Sequence, residues 1–176
     1  MKKITNYFLL LILLFLMLGN SVNVIAQDCK FDIEEKDAFS ESSIKGFKYK
    51  ASMNYSIIHY FILEENGDFK IKLDLVRTGL IKDNILKDKS TIELKLSNGE
   101  VVSAKCIDNA LPVIDNYKGT TTYEAYYQLN KKDIQAIVNS APTAIRLTAI
   151  PEIDFSDDIK KRRGAKMSEE LKCLIK

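Results

Sequence analysis

Apolar and polar residues alternate with a period of two through much of the chain, the signature of half-buried strands. Ser56 to Glu64 and Asp68 to Val76 carry this alternation on either side of Asn66-Gly67. Asn and Gly tolerate the positive φ needed at both central positions of a type I′ turn, so the segment predicts a two-residue hairpin. That loop pairs Glu65 with Asp68, and therefore Ile62 with Ile71, Tyr60 with Leu73 and Ile58 with Leu75. One face is then continuously apolar, as a buried sheet face requires. The other face sets Ile57, His59, Phe61 and Leu63 against Lys70, Lys72, Asp74 and Val76. This mixture predicts a half-covered surface, with a helix as its cover.

A second hairpin joins Thr91–Leu96 to Glu100–Asp108. A two-residue loop would oppose Leu94 to Ser103 and Ile92 to Lys105. A three-residue loop, Ser97-Asn98-Gly99 with Gly99 left-handed, opposes Leu94 to Val102 and Ile92 to Ala104. The second register keeps one apolar face and turns Cys106 inward. Phe47–Ala51 reads as a short strand, Asp108–Thr121 as a loop, and Thr122–Leu129 as a tyrosine-rich strand. Asn130 caps a helix over Lys131–Ser140, with Asp133 at its positive end and Ile134, Ile137 and Val138 as its apolar stripe. Ala141-Pro142 ends it. Thr143–Ile150 is a further strand, stopped by Pro151. Asp154 or Ser156 starts a final helix reaching about Ile175; Gly164 weakens its middle, and Met167, Leu171, Leu174 and Ile175 give its apolar face. The fold class is α+β: an antiparallel sheet of about seven strands built from hairpins, one short helix between the last two strands, and a C-terminal helix.

The first 26 residues break the alternation. Lys2 and Lys3 precede an unbroken apolar run from Phe8 to Leu18, followed by Val24-Ile25-Ala26. This pattern is a secretory signal peptide, its core too short for a comfortable bilayer span. The organisation is then 1–26 signal peptide, 27–46 lead-in, and 47–176 a single domain. Of 26 Lys+Arg, Lys2 and Lys3 leave with the signal, so 24 face 24 Asp+Glu. That balance gives no electrostatic case for nucleic acid or for a membrane after cleavage. Cys29 follows Gln27-Asp28, unlike a lipoprotein cysteine. The expected location is the periplasm or the cell exterior.

Several segments carry a resemblance. They are Cys29-Lys30-Phe31 with Asp37-Ala38-Phe39-Ser40, the run Ile92 to Glu100, the step Tyr127-Gln128-Leu129-Asn130-Lys131-Lys132-Asp133-Ile134, Ile145-Arg146-Leu147, and Leu171-Lys172-Cys173-Leu174. Together they resemble a group of small exported bacterial proteins of unknown function. The resemblance supports the β-rich fold and carries over no catalytic residues.

Export changes how the three cysteines are read, because thiols pair in oxidising compartments. Cys29 and Cys173 sit near the two ends of the domain, and chain ends often lie close together, so they are the expected disulfide. Cys106 is then buried and reduced. The chain has one histidine, which excludes multi-histidine metal sites and leaves one imidazole base. His59 lies across the hairpin from Asp74, with Ser52 and Ser56 nearby in sequence. An Asp–His pair is also an ordinary cross-strand contact, and no Gly-x-Ser-x-Gly elbow exists. Asp154, Asp157 and Asp158 lack the ligand alternation of a calcium loop, and Lys160-Lys161-Arg162-Arg163 reads as a solvated helix face. No metal and no cofactor are called for. Among the tyrosines, Tyr123 and Tyr127 share a core face, whereas Tyr126 stands on the other face between Glu124 and Gln128 as a candidate binding group. The functional expectation is a non-enzymatic binding or interaction module of the cell envelope or exterior, with an envelope or extracellular macromolecule as partner. The alternative is a small hydrolase using His59 with nearby carboxylates.

Overall fold

A computed structural model describes residues 29–36, 42–53, 56–83, 85–86, 90–149 and 153–176, with the side chains of residues 52 and 53 excepted. The expected signal segment lies outside the described residues, as do Phe39, Pro151 and the Ser52 side chain. Among these described residues ten strands and two helices are formed: β1 (Ile33–Lys36), β2 (Ser43–Met53), β3 (Ser56–Glu65), β4 (Asp68–Thr78), β5 (Thr91–Leu96), β6 (Val101–Asn109), β7 (Val113–Asp115), β8 (Thr120–Leu129), α1 (Lys131–Asn139), β9 (Pro142–Ala149), β10 (Ile153–Asp158) and α2 (Lys161–Leu171). All pair antiparallel in one sheet of order β1-β2-β3-β4-β8-β6-β5-β9-β10, and β7 shares the β6-side edge of β8.

Turn chemistry sets the registers. Asn66 (φ 52°) and Gly67 (φ 91°) both take the left-handed region, and β3 pairs with β4 as Glu65↔Asp68, Ile62↔Ile71, Tyr60↔Leu73 and Ile58↔Leu75. The β5–β6 loop turns at Gly99 (φ 89°), giving Leu94↔Val102 and Ile92↔Ala104. Both hairpin registers agree with the alternation. The capping box also forms: the Asn130 side chain accepts from the amides of Lys132 and Asp133, and Asp133 accepts from the Asn130 amide.

Three strands exceed the expected seven, each for a local reason. β1 lies within the polar lead-in and pairs with only four residues of β2. β7 occupies what reads as a loop, because a register shift after Cys106 lets the chain resume pairing beyond Pro112. β10 replaces the expected start of the last helix. Ile153 and Phe155 are buried while Asp154 and Ser156 are exposed, a strand period that outweighs the acids' preference for a helix start. The short helix therefore precedes the last two strands rather than separating them, and the final helix begins only at Lys161.

The inner face of the sheet and both helices share one core, including Ile62, Leu73, Tyr127, Ile134, Ile137, Met167 and Leu171. Burying each such side chain contributes roughly 1.5–3 kcal/mol against chain entropy. Ser168 Oγ donates to the Ile137 carbonyl at 2.7 Å, fastening α2 to α1. Gly164 has a packing role in the helix: a Cβ there would meet the Pro142 carbonyl oxygen of β9. The sheet curls until β10 comes beside β2, leaving an incompletely closed barrel. Among the described residues no helix supplies the expected cover of the β3–β4 hairpin on the outer face. Phe61 is instead buried beneath the ammonium groups of Lys48 and Lys72, at 5.4 and 5.9 Å from its ring centre.

Candidate functional site

Two surfaces bring polar chemistry together. The first is the outer face of β3, β4 and β8, and it unites both sets of residues singled out in the sequence. Register places Lys50, His59, Asp74 and Glu124 in one row across four strands, and Lys48, Phe61, Lys72 and Tyr126 in the next. Lys72 is the hub. Its Nζ lies 2.8 Å from Glu124 Oε2 and 3.7 Å from Asp74 Oδ1. Tyr126 donates its hydroxyl proton to Glu124 Oε1 at 3.3 Å. Gln128 turns away from this group, donating to the carbonyls of Phe69 and Leu129.

The electrostatics are those of a mutually neutralising lattice. Desolvation raises the Asp74 pKa, and the Lys72 charge only partly opposes this. Desolvation works against the Lys72 charge, but the Glu124 hydrogen bond and the Asp74 charge outweigh it and raise its pKa. His59 is lowered by desolvation and then by Lys48 and Lys50. His59 and Asp74 face one another as expected, yet no side-chain hydrogen bond joins them among the described residues. Ser56 is buried and pairs with Arg77 at the strand end, three positions from His59.

The second surface is the seam, which sequence reasoning missed. A cleft of about 170 Å³ opens where β2 and β3 meet β10 and α2. Its floor is Tyr49, Ala51, Tyr60, Ile145 and Met167. The rings of Tyr49 and Tyr60 lie 5.4 Å apart, tilted by 34°. Asp157 and Asp158 border one side, Arg163 and Lys166 the other. Asp157 pairs with Ile145, which pairs with Leu94, so its side chain holds an inward position in a row that is otherwise apolar. Arg163 and Lys166 are three residues apart and so neighbours on one face of α2. Lys166 also pairs with Glu170 at 3.0 Å. Burial raises the Tyr60 pKa, the Asp157 charge adds to this, and Arg163 opposes it; the phenol stays protonated at physiological pH. Burial, and then the Glu170 charge, does the same for Tyr49.

The β2 edge also faces this cleft. β1 pairs with β2 only as far as Gly46. The Lys48 amide points away from β3 and donates to Asp32 Oδ2 at 2.9 Å. Alternation turns the Lys50 backbone the same way, so Lys48 and Lys50 can line the cleft although their side chains belong to the outer face.

The remaining candidates are dispersed. Cys29 and Cys173 form a disulfide with Cα atoms 5.8 Å apart, and Cys106 is half-buried beside Tyr127. Tyr123 and Tyr127 are fully buried, with Tyr127 hydrogen-bonded to Ser90 at 2.9 Å, while Tyr117 is solvent-exposed. Asp154 accepts from Nε and Nη2 of Arg146 at 3.0 and 3.2 Å. No group of three metal-ligating side chains converges among the described residues. No protein-family model, curated protein or solved structure matches the chain.

Proposed function

We propose that the protein is an exported, non-enzymatic binding module of the cell envelope or exterior, and that the seam cleft receives its partner. The observation carrying this reading is the cleft itself: an aromatic and aliphatic floor under a rim of opposed charges, the usual make-up of a ligand site. The outer face offers less, since Lys72 and Tyr126 are already engaged with Glu124. Export is supported by the signal-like first 26 residues and by a disulfide suited to an oxidising compartment. The resemblance to small exported bacterial proteins fits the same location, and the charge balance favours neither nucleic acid nor an anionic membrane.

The test is methyl and aromatic NMR on the oxidised protein during titration with an envelope extract. Shifts at Met167 and Ile145, with the Tyr126 ring unmoved, support the reading. Shifts confined to the ring of Tyr126, or none at all, overturn it.

A further inference from the structure

Resting on the reading of the seam as a binding site, we infer that the cleft takes the C-terminal residue of a polypeptide, apolar in its side chain, and holds it by the terminal carboxylate. Two donors on the cleft wall stand unused. Tyr60 is 2% exposed and lines the cleft, yet its hydroxyl has no hydrogen-bond partner among the described residues. A phenol buried to that degree normally has one. Arg163 is exposed and lines the same cleft, and its guanidinium has no hydrogen bond or ion pair among the described residues. Met167 of the floor follows Arg163 by four residues, so the two share the face of α2 that borders the cleft. The β2 edge adds a backbone pair. The Lys48 amide turns from β3 to Asp32, so alternation points the Lys50 amide and carbonyl out of that edge, beyond the end of the β1 pairing at Gly46. The acids of β10 take no part: Asp157 already has a partner, and Asp158 shares the exposed face of Asp154 and Ser156.

A terminal carboxylate answers both unused donors at once. The guanidinium fork takes its two oxygens, and the Tyr60 hydroxyl donates to one of them. The peptide group before it offers the N–H and C=O that match the Lys50 edge, as in strand addition. A free fatty acid brings no such pair, and an internal stretch of chain brings no charge to Arg163. The floor selects the side chain. Tyr60, Ala51, Ile145 and Met167 are each almost fully buried and present no charge. The space of about 170 Å³ accommodates one side chain such as that of phenylalanine or leucine. A charged side chain would lose its hydration there without a partner.

Titration of the oxidised protein with acetyl-glycyl-glycyl-L-phenylalanine, followed by Met167 and Ile145 methyl shifts, tests this. Saturable binding is expected. The same peptide with a C-terminal amide should bind at least about tenfold more weakly. So should 3-phenylpropanoate, which keeps ring and carboxylate and lacks the peptide group. Arg163→Gln should weaken the acid peptide by at least about tenfold and leave the amide within about twofold of its wild-type affinity, since the amide never made that contact. Arg163 is exposed, so the thermal midpoint, checked in parallel, should stay at the wild-type value. Equal affinity for acid and amide overturns the inference, as does wild-type affinity for the acid in Arg163→Gln. Equal affinity for 3-phenylpropanoate overturns the polypeptide as the source of the carboxylate. If this peptide and its leucine counterpart leave the methyls unmoved while an envelope extract still shifts them, the C-terminal assignment fails and the binding-site reading stands. If neither moves them, both fail.

Discussion

The outer face of β3–β4–β8 and the seam between β2 and β10 contain similar residues and differ in what those residues satisfy. On the outer face Lys72 is shared between Asp74 on its own strand and Glu124 on β8, and Tyr126 donates to Glu124. Continuous backbone pairing holds these groups at fixed spacing, so they neutralise each other and leave little for a partner. At the seam, β2 and β10 are neighbours without forming a ladder. Charged groups from β10 and α2 there stand around an apolar hollow rather than across a strand pair. A line of acids and bases in sequence therefore says little about a site until the pairing of its strands is known.

The comparison breaks most sharply at the disulfide, which belongs to the seam side. Cys29 precedes the strand that covers part of the β2 edge, and Cys173 follows α2. The bond closes a loop with a sequence separation of 144, for which the chain-entropy relation gives roughly 5 kcal/mol. Cys29→Ser with Cys173→Ser should lower unfolding stability by about 2–5 kcal/mol in denaturant titration. Hydrogen exchange in the same variant should show the first loss of protection at β1, the β2 edge and α2, with β4 and β8 still protected. Equal loss throughout the sheet would erase the distinction.

Gly164→Ala presses on the same wall with a smaller effect. The added methyl meets the Pro142 carbonyl, so α2 must move away from β9 and the cleft must change shape. A loss of about 1–3 kcal/mol is expected from overpacking, although alanine is the better helix former. Thermal unfolding measures it, and an unchanged or raised midpoint would show that the close approach carries no constraint.

The outer face should respond least. The folded pKa of His59 is depressed, so its contribution to stability is present above the unfolded value of about 6.5 and is lost as pH falls through the folded value. His59→Gln should stay within about 0.5 kcal/mol of wild type at pH 8. It should also flatten the decline in thermal midpoint between pH 7 and pH 5. A steeper decline in the variant would contradict the depressed pKa.

Much of the sheet was legible because its information is local. Asn66-Gly67 and Gly99 fixed two hairpin registers, and those registers placed His59 opposite Asp74. Asn130 and Asp133 marked the α1 start for the same reason. β10 was obscured by competition between two local signals, since Asp154, Asp157 and Asp158 suit a helix N-terminus while Ile153 and Phe155 keep strand spacing. The cleft was illegible for a different reason. Tyr49 and Tyr60 lie about a hundred residues before Asp157 and Arg163, and only the curl of the sheet joins them. One clue was available: the alternation of Ile153, Phe155 and Asp157 puts an acid where an apolar residue is due.

The placement of the two bonded cysteines also orders events during synthesis. Cys29 comes before every described strand, and Cys173 comes after the last helix. The covalent ring can close only after Cys173 has been made, and so after every described strand. Any structure that forms before that point, the Asn66-Gly67 hairpin included, forms as an open chain.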